Sequence, residues 1–163
     1  MDVAIRSGGP ADIEPVVGVW QAANTARRGG RPMPPENEAR VRAYLSEPHA
    51  FLLVADVSGK VVGLALGMPD PTDDGDASPV DGVCYVPMVY VAPGCWGRGI
   101  GGRIVDAVLA EARRLGYGRI QLWTQTDNPR AQRLYEGRGF LRTGREETDP
   151  ALGERSLHFE RAL

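Results

Sequence analysis

The chain has 163 residues, of which 42% are hydrophobic and 25% are charged, and its formal net charge is −2. This length suits one globular domain, so we expect a single domain over residues 1–163. The near-neutral charge argues against nucleic acid as a partner. No apolar run approaches the roughly 20 residues of a membrane span, and the first residues lack the apolar core of a signal peptide. We therefore expect a cytoplasmic protein that binds neither nucleic acid nor membrane.

The first half of the chain predicts one strand, two helices and a three-stranded meander. Periodic apolar positions and turn residues mark these elements. In chain order they are a strand at Val3–Arg6, a helix that begins after Pro10-Ala11-Asp12, a helix at Glu36–Leu45, and strands at Phe51–Val57, Val61–Leu66 and Val83–Val91. The turn Ser58-Gly59-Lys60 makes the first two strands of the meander a hairpin. A polar loop is expected from Pro69 to Pro79.

The second half alternates helices with strands. In chain order it predicts a helix from Ile100 to Leu115 that ends at Gly116, a strand at Arg119–Thr124, a helix opened by Asn128-Pro129 and closed by Gly137 and Gly139, and strands at Phe140–Gly144 and Ser156–Glu160. The order β-α-α-β-β-β-α-β-α-β-β contains one βαβ crossover. It predicts a mixed α/β (α+β) fold, with a mostly antiparallel sheet of six or seven strands and about four helices.

A glycine-rich turn lies between the long apolar strand and the helix that follows it. It comprises Trp96, Gly97, Arg98, Gly99, Ile100, Gly101 and Gly102. The start of a helix presents unpaired N–H groups and a partial positive charge. Glycines let a phosphate approach that backbone, and Arg98 can add a charge-assisted contact. The pattern indicates a diphosphate site.

The same glycines also fit a dinucleotide fingerprint. Gly97, Gly99 and Gly102 satisfy G-x-G-x-x-G, and the acidic Asp127 follows further along. A dinucleotide domain is built from several βαβ units, whereas this chain predicts one. The spacing alone therefore leaves two cofactor classes, and the order of elements disfavours the nicotinamide or flavin alternative.

Two further features accompany the turn. Pro87 lies inside the apolar strand, where it cannot donate to a ladder, so a bulge or a splayed edge is expected there. Asn128, Ala131 and Tyr135 are spaced three and four apart and share one face of the last helix. By themselves, Asn128 could be only a helix cap and Tyr135 only a core aromatic.

These residues resemble the GNAT superfamily of N-acetyltransferases. Its signature, Q/R-x-x-G-x-G/A after a strand ending in V-x-P, matches Val91-Ala92-Pro93 followed by Trp96 to Gly101, and it departs at Trp96. The family pattern N-x-x-A-x-x-x-Y matches Asn128 to Tyr135. The resemblance covers about Val83 to Phe140, and the order of elements extends it to both ends of the chain.

The resemblance implies a co-substrate, acetyl-CoA (coenzyme A), and a set of residues that bind it. The turn Trp96–Gly102 would hold the pyrophosphate. The backbone of Val89, Tyr90 and Val91 would bind pantetheine beside a bulge, and an N–H near Val89 would polarise the thioester carbonyl. Asn128 would contact the pantetheine region and Ala131 would keep the helix surface low.

The resemblance also implies an activity. Tyr135 would act as general acid toward the CoA thiolate. We expect an N-acetyltransferase that acetylates a primary amine by direct attack in a ternary complex. A non-catalytic acyl-CoA-binding or sensing module is the alternative.

The general base and the acceptor stay open. The candidate bases are Tyr90, Cys84, His158, Glu146, Glu147 or a water relay. Arginines near the first helix (Arg27, Arg28, Arg31) and acids before the last strand (Glu146, Glu147, Asp149) would suit a zwitterionic acceptor or simply be solvated charges. A small-molecule or peptide amine fits equally, an edge strand would permit a homodimer, and no metal site is expected.

Overall fold

The computed structural model describes residues 2–71 and 82–163. Its helices and strands are β1 (Ala4–Ser7), α1 (Ile13–Arg27), α2 (Pro35–Leu45), β2 (Phe51–Val57), β3 (Lys60–Pro69), β4 (Val83–Val91), α3 (Ile100–Arg114), β5 (Arg119–Gln125), α4 (Pro129–Glu136), β6 (Leu141–Thr148) and β7 (Arg155–Ala162). Short 3-10 turns at Pro10–Asp12 and Pro93–Cys95 precede α1 and α3. The predicted polar loop falls mostly on residues 72–81, outside the described residues.

The predicted fold class is confirmed. The strands form a seven-stranded sheet in the order β1-β2-β3-β4-β5-β7-β6. The pairs β1–β2, β2–β3, β5–β7 and β6–β7 are antiparallel, and β4–β5 is parallel. Among the helices of the described chain, none is long and apolar enough to cross a membrane.

Strands β3 and β6 both continue past their predicted ends, and each has a glycine at or next to that predicted end. Gly67 lies opposite Phe51 in the β2–β3 register, and a Cβ there would lie 2.2 Å from the Phe51 ring. This glycine makes room for an aromatic neighbour and does not end the strand. Gly144 has a φ of +87° and lies where the β6–β7 register shifts, between Arg142 and Glu146. It therefore marks a β-bulge inside a continuous strand.

The Cα positions group into two compact units. Unit 1 comprises Met1–Met68 and Met88–Val108, and unit 2 comprises Pro69–Pro87 and Leu109–Leu163. The expectation of a single domain over the whole chain stays a prediction.

In unit 1, α1 and α2 supply an apolar face to the strands. The core residues of this unit share near-complete burial: Val16, Val17, Val19, Trp20, Val41, Val54, Val61, Leu64, Leu66 and Met88. Val16 and Trp20 lie four residues apart on α1, which places both on the buried face of the helix.

In unit 2, β5 pairs with β7 along its whole length, from Arg119 opposite Ala162 to Gln125 opposite Ser156. Three aromatic rings lie at the centre of its core. Tyr135 of α4 meets Phe140 edge-on with 5.7 Å between ring centroids, and lies 6.1 Å from Phe159. These contacts anchor α4 to the sheet.

Candidate functional site

The glycine-rich turn lies at the start of α3, in unit 1. Gly97 and Gly99 both have a φ of +77°, a left-handed conformation that glycine adopts without strain. Among the described residues, nothing lies within 4 Å of the point where a side chain would begin at either glycine. The two glycines are therefore required by the backbone conformation and not by crowding, and their open side leaves room for a ligand.

The same turn supplies the first groups of a long helix. The N–H of Arg103 donates to the carbonyl of Gly99 at 3.2 Å, which is the first helical hydrogen bond of α3. The N–H groups of a helix's first turn have no acceptor within the helix and carry a partial positive charge. Arg98 is exposed beside them, whereas Ile100 points into the core. The turn thus offers an anion backbone donors next to a cationic side chain.

Trp96 stands where the family signature has glutamine or arginine. Its indole Nε1 donates to the carbonyl of Val91 at 2.7 Å, and 37% of the residue is exposed. This hydrogen bond ties the turn to the last residue of β4. The substitution therefore replaces a polar side chain with one that holds the loop in place.

Close packing of α3 on the sheet holds the turn in position. A Cβ at Gly63 of β3 would lie 2.7 Å from the Ile104 side chain and 3.2 Å from the carbonyl oxygen of Tyr90. Glycine at this position lets Ile104, which is fully buried, reach the strand. The first two turns of α3 are thereby held against unit 1.

The predicted pantetheine residues Val89, Tyr90 and Val91 are half-buried at the end of β4, in unit 1. The side chain of Tyr90 packs against the unit 1 core. Parallel pairing of β4 with β5 covers Val83–Tyr85, and Pro87 follows two residues later. Since proline cannot donate to a ladder, the pairing ends as the sequence predicts. The bulge itself stays a prediction.

The face of α4 carries the other predicted residues, in unit 2. The Asn128 side chain accepts a hydrogen bond from the N–H of Ala131 at 3.2 Å, so the capping interpretation is confirmed. The cap uses the amide oxygen, which leaves the Nδ2 donors of Asn128 outside it. Tyr135 is 5% exposed and belongs to the aromatic core. Neither observation decides the cofactor and acid roles, which stay predictions.

The candidate bases differ in their surroundings. Cys84 is fully buried, and Glu146 forms an ion pair with Arg155. Glu147 is exposed on β6. His158 is 3% exposed and hydrogen-bonded through both ring nitrogens. Of these, His158 belongs to an extended polar chain.

That polar chain crosses one face of the sheet in unit 2, and we call it the Asp70–Thr143 chain. The Nε2 of Gln121 donates to the Asp70 carboxylate at 2.7 Å. The Oε1 of Gln121 lies 2.5 Å from His158 Nε2, and His158 Nδ1 lies 2.8 Å from Thr143 Oγ1. Trp123 lies opposite His158 in the strand register, with 4.7 Å between ring centroids.

Sequence reasoning missed Gln121 and Thr143. Gln121 could have been noticed as a long polar residue between Ile120 and Leu122, in a strand whose sequence predicts burial. Nothing in the local sequence marks Thr143, because its hydroxyl is aimed by the bulge at Gly144. Bulges commonly redirect a side chain in this way.

The three arginines near α1 support its C-terminal end. Arg27 donates to the Asn24 side chain at 3.1 Å, Arg28 donates to the carbonyl of Pro32, and Arg31 donates to the carbonyl of Arg28 at 3.1 Å. These hydrogen bonds stabilise the loop after α1, so a structural role is the simplest interpretation of the three arginines.

The chain matches the model of the Acetyltransferase (GNAT) family over residues 17–140. It therefore belongs to the Acetyltransferase (GNAT) family, a family of acyltransferase enzymes. An uncharacterized N-acetyltransferase of Mycobacterium tuberculosis is 32% identical over 108 residues, which are 66% of this chain and 64% of that protein. A mycothiol acetyltransferase of Pseudarthrobacter chlorophenolicus is 32% identical over 131 residues, 76% of this chain and 38% of that protein. The chain thus spans less than two thirds of the length of these relatives.

Solved structures share the fold at low sequence identity. An N-acetyltransferase from Staphylococcus aureus superposes with a TM-score of 0.77 at 16% identity, covering 99% of both chains. The protein yncA from Salmonella typhimurium, solved with acetyl-CoA, has a TM-score of 0.75 at 21% identity, covering 100% of this chain and 95% of that one. These similarities establish the GNAT fold.

Proposed function

We propose that the chain is an acetyl-CoA-dependent N-acetyltransferase that acetylates a primary amine by direct attack in a ternary complex. Family membership supports the acyltransferase class. The observation that carries the choice of donor is the turn at Gly97 and Gly99, where the space around both Cβ positions is open, at the start of a 15-residue helix. A pyrophosphate fits such a cradle because it needs several N–H donors at once.

Each part of acetyl-CoA has an assigned partner in this proposal. The backbone of Trp96–Gly102 and the Arg98 guanidinium bind the pyrophosphate. The backbone of Val89–Val91 binds the pantetheine amides, and the N–H near Val89 polarises the thioester carbonyl. Asn128 adds its Nδ2 donors, which the helix cap does not use. The small side chain of Ala131 leaves room for the cofactor against the surface of α4.

Tyr135 is the proposed general acid. When the amine attacks, the thioester releases a thiolate, and a phenol within hydrogen-bond reach stabilises it by giving a proton. The ring of Tyr135 is held by Phe140 and Phe159, so its hydroxyl has a defined direction. A side chain fixed in this way loses little entropy when the thiolate forms.

The acceptor is a primary amine on a small molecule or a peptide. A relative named mycothiol acetyltransferase supports a small-molecule acceptor for this chain. For this chain we propose testing amino acids, peptides with free N-termini, polyamines and amine antibiotics. A homodimer and a cytoplasmic location stay expectations.

The test combines binding and turnover. Calorimetry with CoA should detect binding, and release of free thiol from acetyl-CoA should depend on one class of amine. Tyr135→Phe, which keeps the ring packing, should lower kcat about 100-fold or more while leaving the CoA Kd unchanged. Tyr117→Phe is the matched control, because Tyr117 is a buried phenol outside α4, 6% exposed.

Each result has a defined meaning. Unchanged kcat in Tyr135→Phe would remove Tyr135 from the acid role. Tight CoA binding without turnover on any amine would favour the non-catalytic alternative. Absence of CoA binding would overturn the assignment of the turn itself.

A further inference from the structure

The Asp70–Thr143 chain connects the protein surface to a buried charge. Thr143 is exposed on β6, whereas His158 is 3% exposed and Asp70 is 8% exposed. Burying polar groups costs free energy unless each one is hydrogen-bonded. Because each member of this chain is hydrogen-bonded to the next, the side chains are held in fixed positions. The chain leads from the hydroxyl of an exposed threonine, through an imidazole and an amide, to a carboxylate.

The carboxylate sets the direction of every hydrogen bond in the chain. An ionised carboxylate only accepts, so Gln121 donates to Asp70 through Nε2 and turns Oε1 toward His158. The imidazole Nε2 must then carry the hydrogen. The Nδ1 lone pair is left to accept from the Thr143 hydroxyl. The chain thus holds a neutral imidazole whose basic nitrogen faces the exposed end.

The bulge in β6 gives Thr143 its direction independently of the chain. Gly144 takes the left-handed conformation, and the N–H of Arg145 folds back to donate to Thr143 Oγ1 at 3.3 Å. The Arg145 guanidinium lies over the Trp123 ring, 5.3 Å from its centroid. The hydroxyl is therefore braced by a backbone donor on one side and an imidazole on the other, in a residue that is itself exposed.

We propose that Thr143 and His158 form the proton-accepting relay for the amine, with Gln121 and Asp70 as positioning residues. This proposal rests on the proposed function. The ammonium group gives one proton to Thr143 Oγ1 while the Thr143 hydroxyl proton moves to His158 Nδ1, so the hydroxyl is regenerated. The neutral amine then attacks the thioester carbonyl and the C–S bond breaks. Tyr135 gives its proton to the thiolate and is reprotonated by one of the two amine N–H protons, and the other stays on the amide nitrogen. The imidazolium returns its proton to water through Thr143.

The surroundings of His158 set the pH at which the relay works. Burial, and then the charge of Arg145, lower the pKa of His158 below its usual value of 6.5, while nearby carboxylates oppose the shift. The charged groups that face it are Arg145 and Glu147 of β6, Glu160 of β7, and Asp70 after β3. The relay needs the neutral imidazole, so the rate should rise with pH through a midpoint below 6.5.

The experiment compares two variants at the exposed end of the chain. Thr143→Val removes the hydroxyl and keeps the shape, and Thr143→Ser restores a hydroxyl. With the best amine from the acceptor screen, Thr143→Val should lower kcat/KM about 100-fold near neutral pH, lose the acidic limb of the pH profile, and recover as the free amine fraction rises. Thr143→Ser should retain the wild-type profile. The CoA Kd should be unchanged in both variants. Tm should stay at the wild-type value in Thr143→Ser and fall in Thr143→Val, because the valine leaves the buried His158 Nδ1 without its hydrogen-bond partner.

A second measurement tests the proton positions without turnover. The imidazole ¹⁵N shifts of His158 should show a single neutral tautomer with hydrogen on Nε2 near pH 7.5, and Asp70→Asn should mix the two tautomers. A wild-type Nδ1–H tautomer, or a Thr143→Val profile identical to wild type, would overturn the relay alone. Absence of wild-type turnover on every amine would overturn the relay together with the proposed function.

Discussion

In unit 1 the glycine-rich turn presents backbone groups to open space, whereas in unit 2 the Asp70–Thr143 chain joins side chains that are mostly buried. At Gly97 and Gly99 nothing in the described chain occupies the position of a side chain. At His158, both ring nitrogens are hydrogen-bonded, and the Trp123 ring lies 4.7 Å away between centroids, tilted by 53°. The first arrangement depends on backbone angles and the second depends on side-chain identity.

This difference predicts how each region responds to substitution. A turn that binds its ligand through backbone N–H groups should tolerate changes of side chain, such as Trp96 in place of glutamine or arginine. It should lose binding when φ changes, because the N–H groups then point elsewhere. The Asp70–Thr143 chain of hydrogen-bonded side chains should tolerate small backbone adjustments. It should be disrupted when one donor or acceptor is lost, because the remaining buried groups are then left without a hydrogen-bond partner. The following substitutions test that contrast, starting with the largest expected effect.

Loss of the aromatic core should be the most damaging change in unit 2. Phe140→Ala should lower the free energy of unfolding by about 3–5 kcal/mol, because the site loses both a buried ring and its contact with Tyr135. The neighbouring Leu141 is 70% exposed, and Leu141→Ala should change stability by less than about 0.5 kcal/mol. Denaturant unfolding of both variants provides the comparison. Equal losses would show that burial does not separate the two positions.

The turn in unit 1 should respond to backbone conformation. Gly99→Val forces a β-branched residue into a φ of +77°, which should cost about 1–2 kcal/mol of stability. CoA affinity should fall at least about tenfold, which corresponds to ~1.4 kcal/mol, because the donor directions change. Gly94→Ala is the control, since its added Cβ would also meet open space and Gly94 is absent from the positive-φ glycines. Calorimetry that finds equal CoA affinity in both variants would remove this turn from the binding site.

Asn128 allows the capping role to be separated from cofactor binding. Asn128→Ala removes the hydrogen bond to Ala131 and should cost about 1 kcal/mol of stability. Asn128→Ser keeps a capping oxygen and lacks the Nδ2 donors, so its stability should stay near that of wild type while CoA affinity falls. Wild-type CoA affinity in Asn128→Ser would restrict Asn128 to the structural role.

The smallest predicted effect concerns acid stability in unit 1. Hydrogen bonds from Arg6, and then from the Gly9 N–H, lower the pKa of Asp12 from 3.8 to about 2. Since the folded-state pKa lies below the unfolded value, this stabilisation is complete above pH 3.8 and is lost as the pH falls toward about 2. Asp12→Asn should therefore be less stable than wild type at neutral pH, and the difference should shrink across this acidic window. Thermal unfolding measured against pH checks this, and a constant difference would contradict it.

Much of the fold was predictable because local signals agreed with one another. The start of α4 at Asn128-Pro129, the turn at Gly59 and the end of α3 before Gly116 follow from residue types that have few alternative uses. The predicted strand ends at Leu66 and Gly144 came too early, and the glycines at these points, Gly67 and Gly144, lie inside their strands. One of them accommodates a ring on the paired strand and the other forms a bulge, and both facts depend on residues distant in the sequence.

The sequence by itself indicated the family and led to the proposed acyl donor, through a turn whose glycines and helix start lie within seven consecutive residues, Trp96 to Gly102. Contiguous residues act through their own backbone, so their order alone describes the geometry. Only the tertiary structure decided which residues accompany His158, because Asp70, Gln121 and Thr143 lie on different strands or strand ends and meet through strand pairing. Hydrogen bonds across a sheet depend on register, and register is set by the packing of the whole unit.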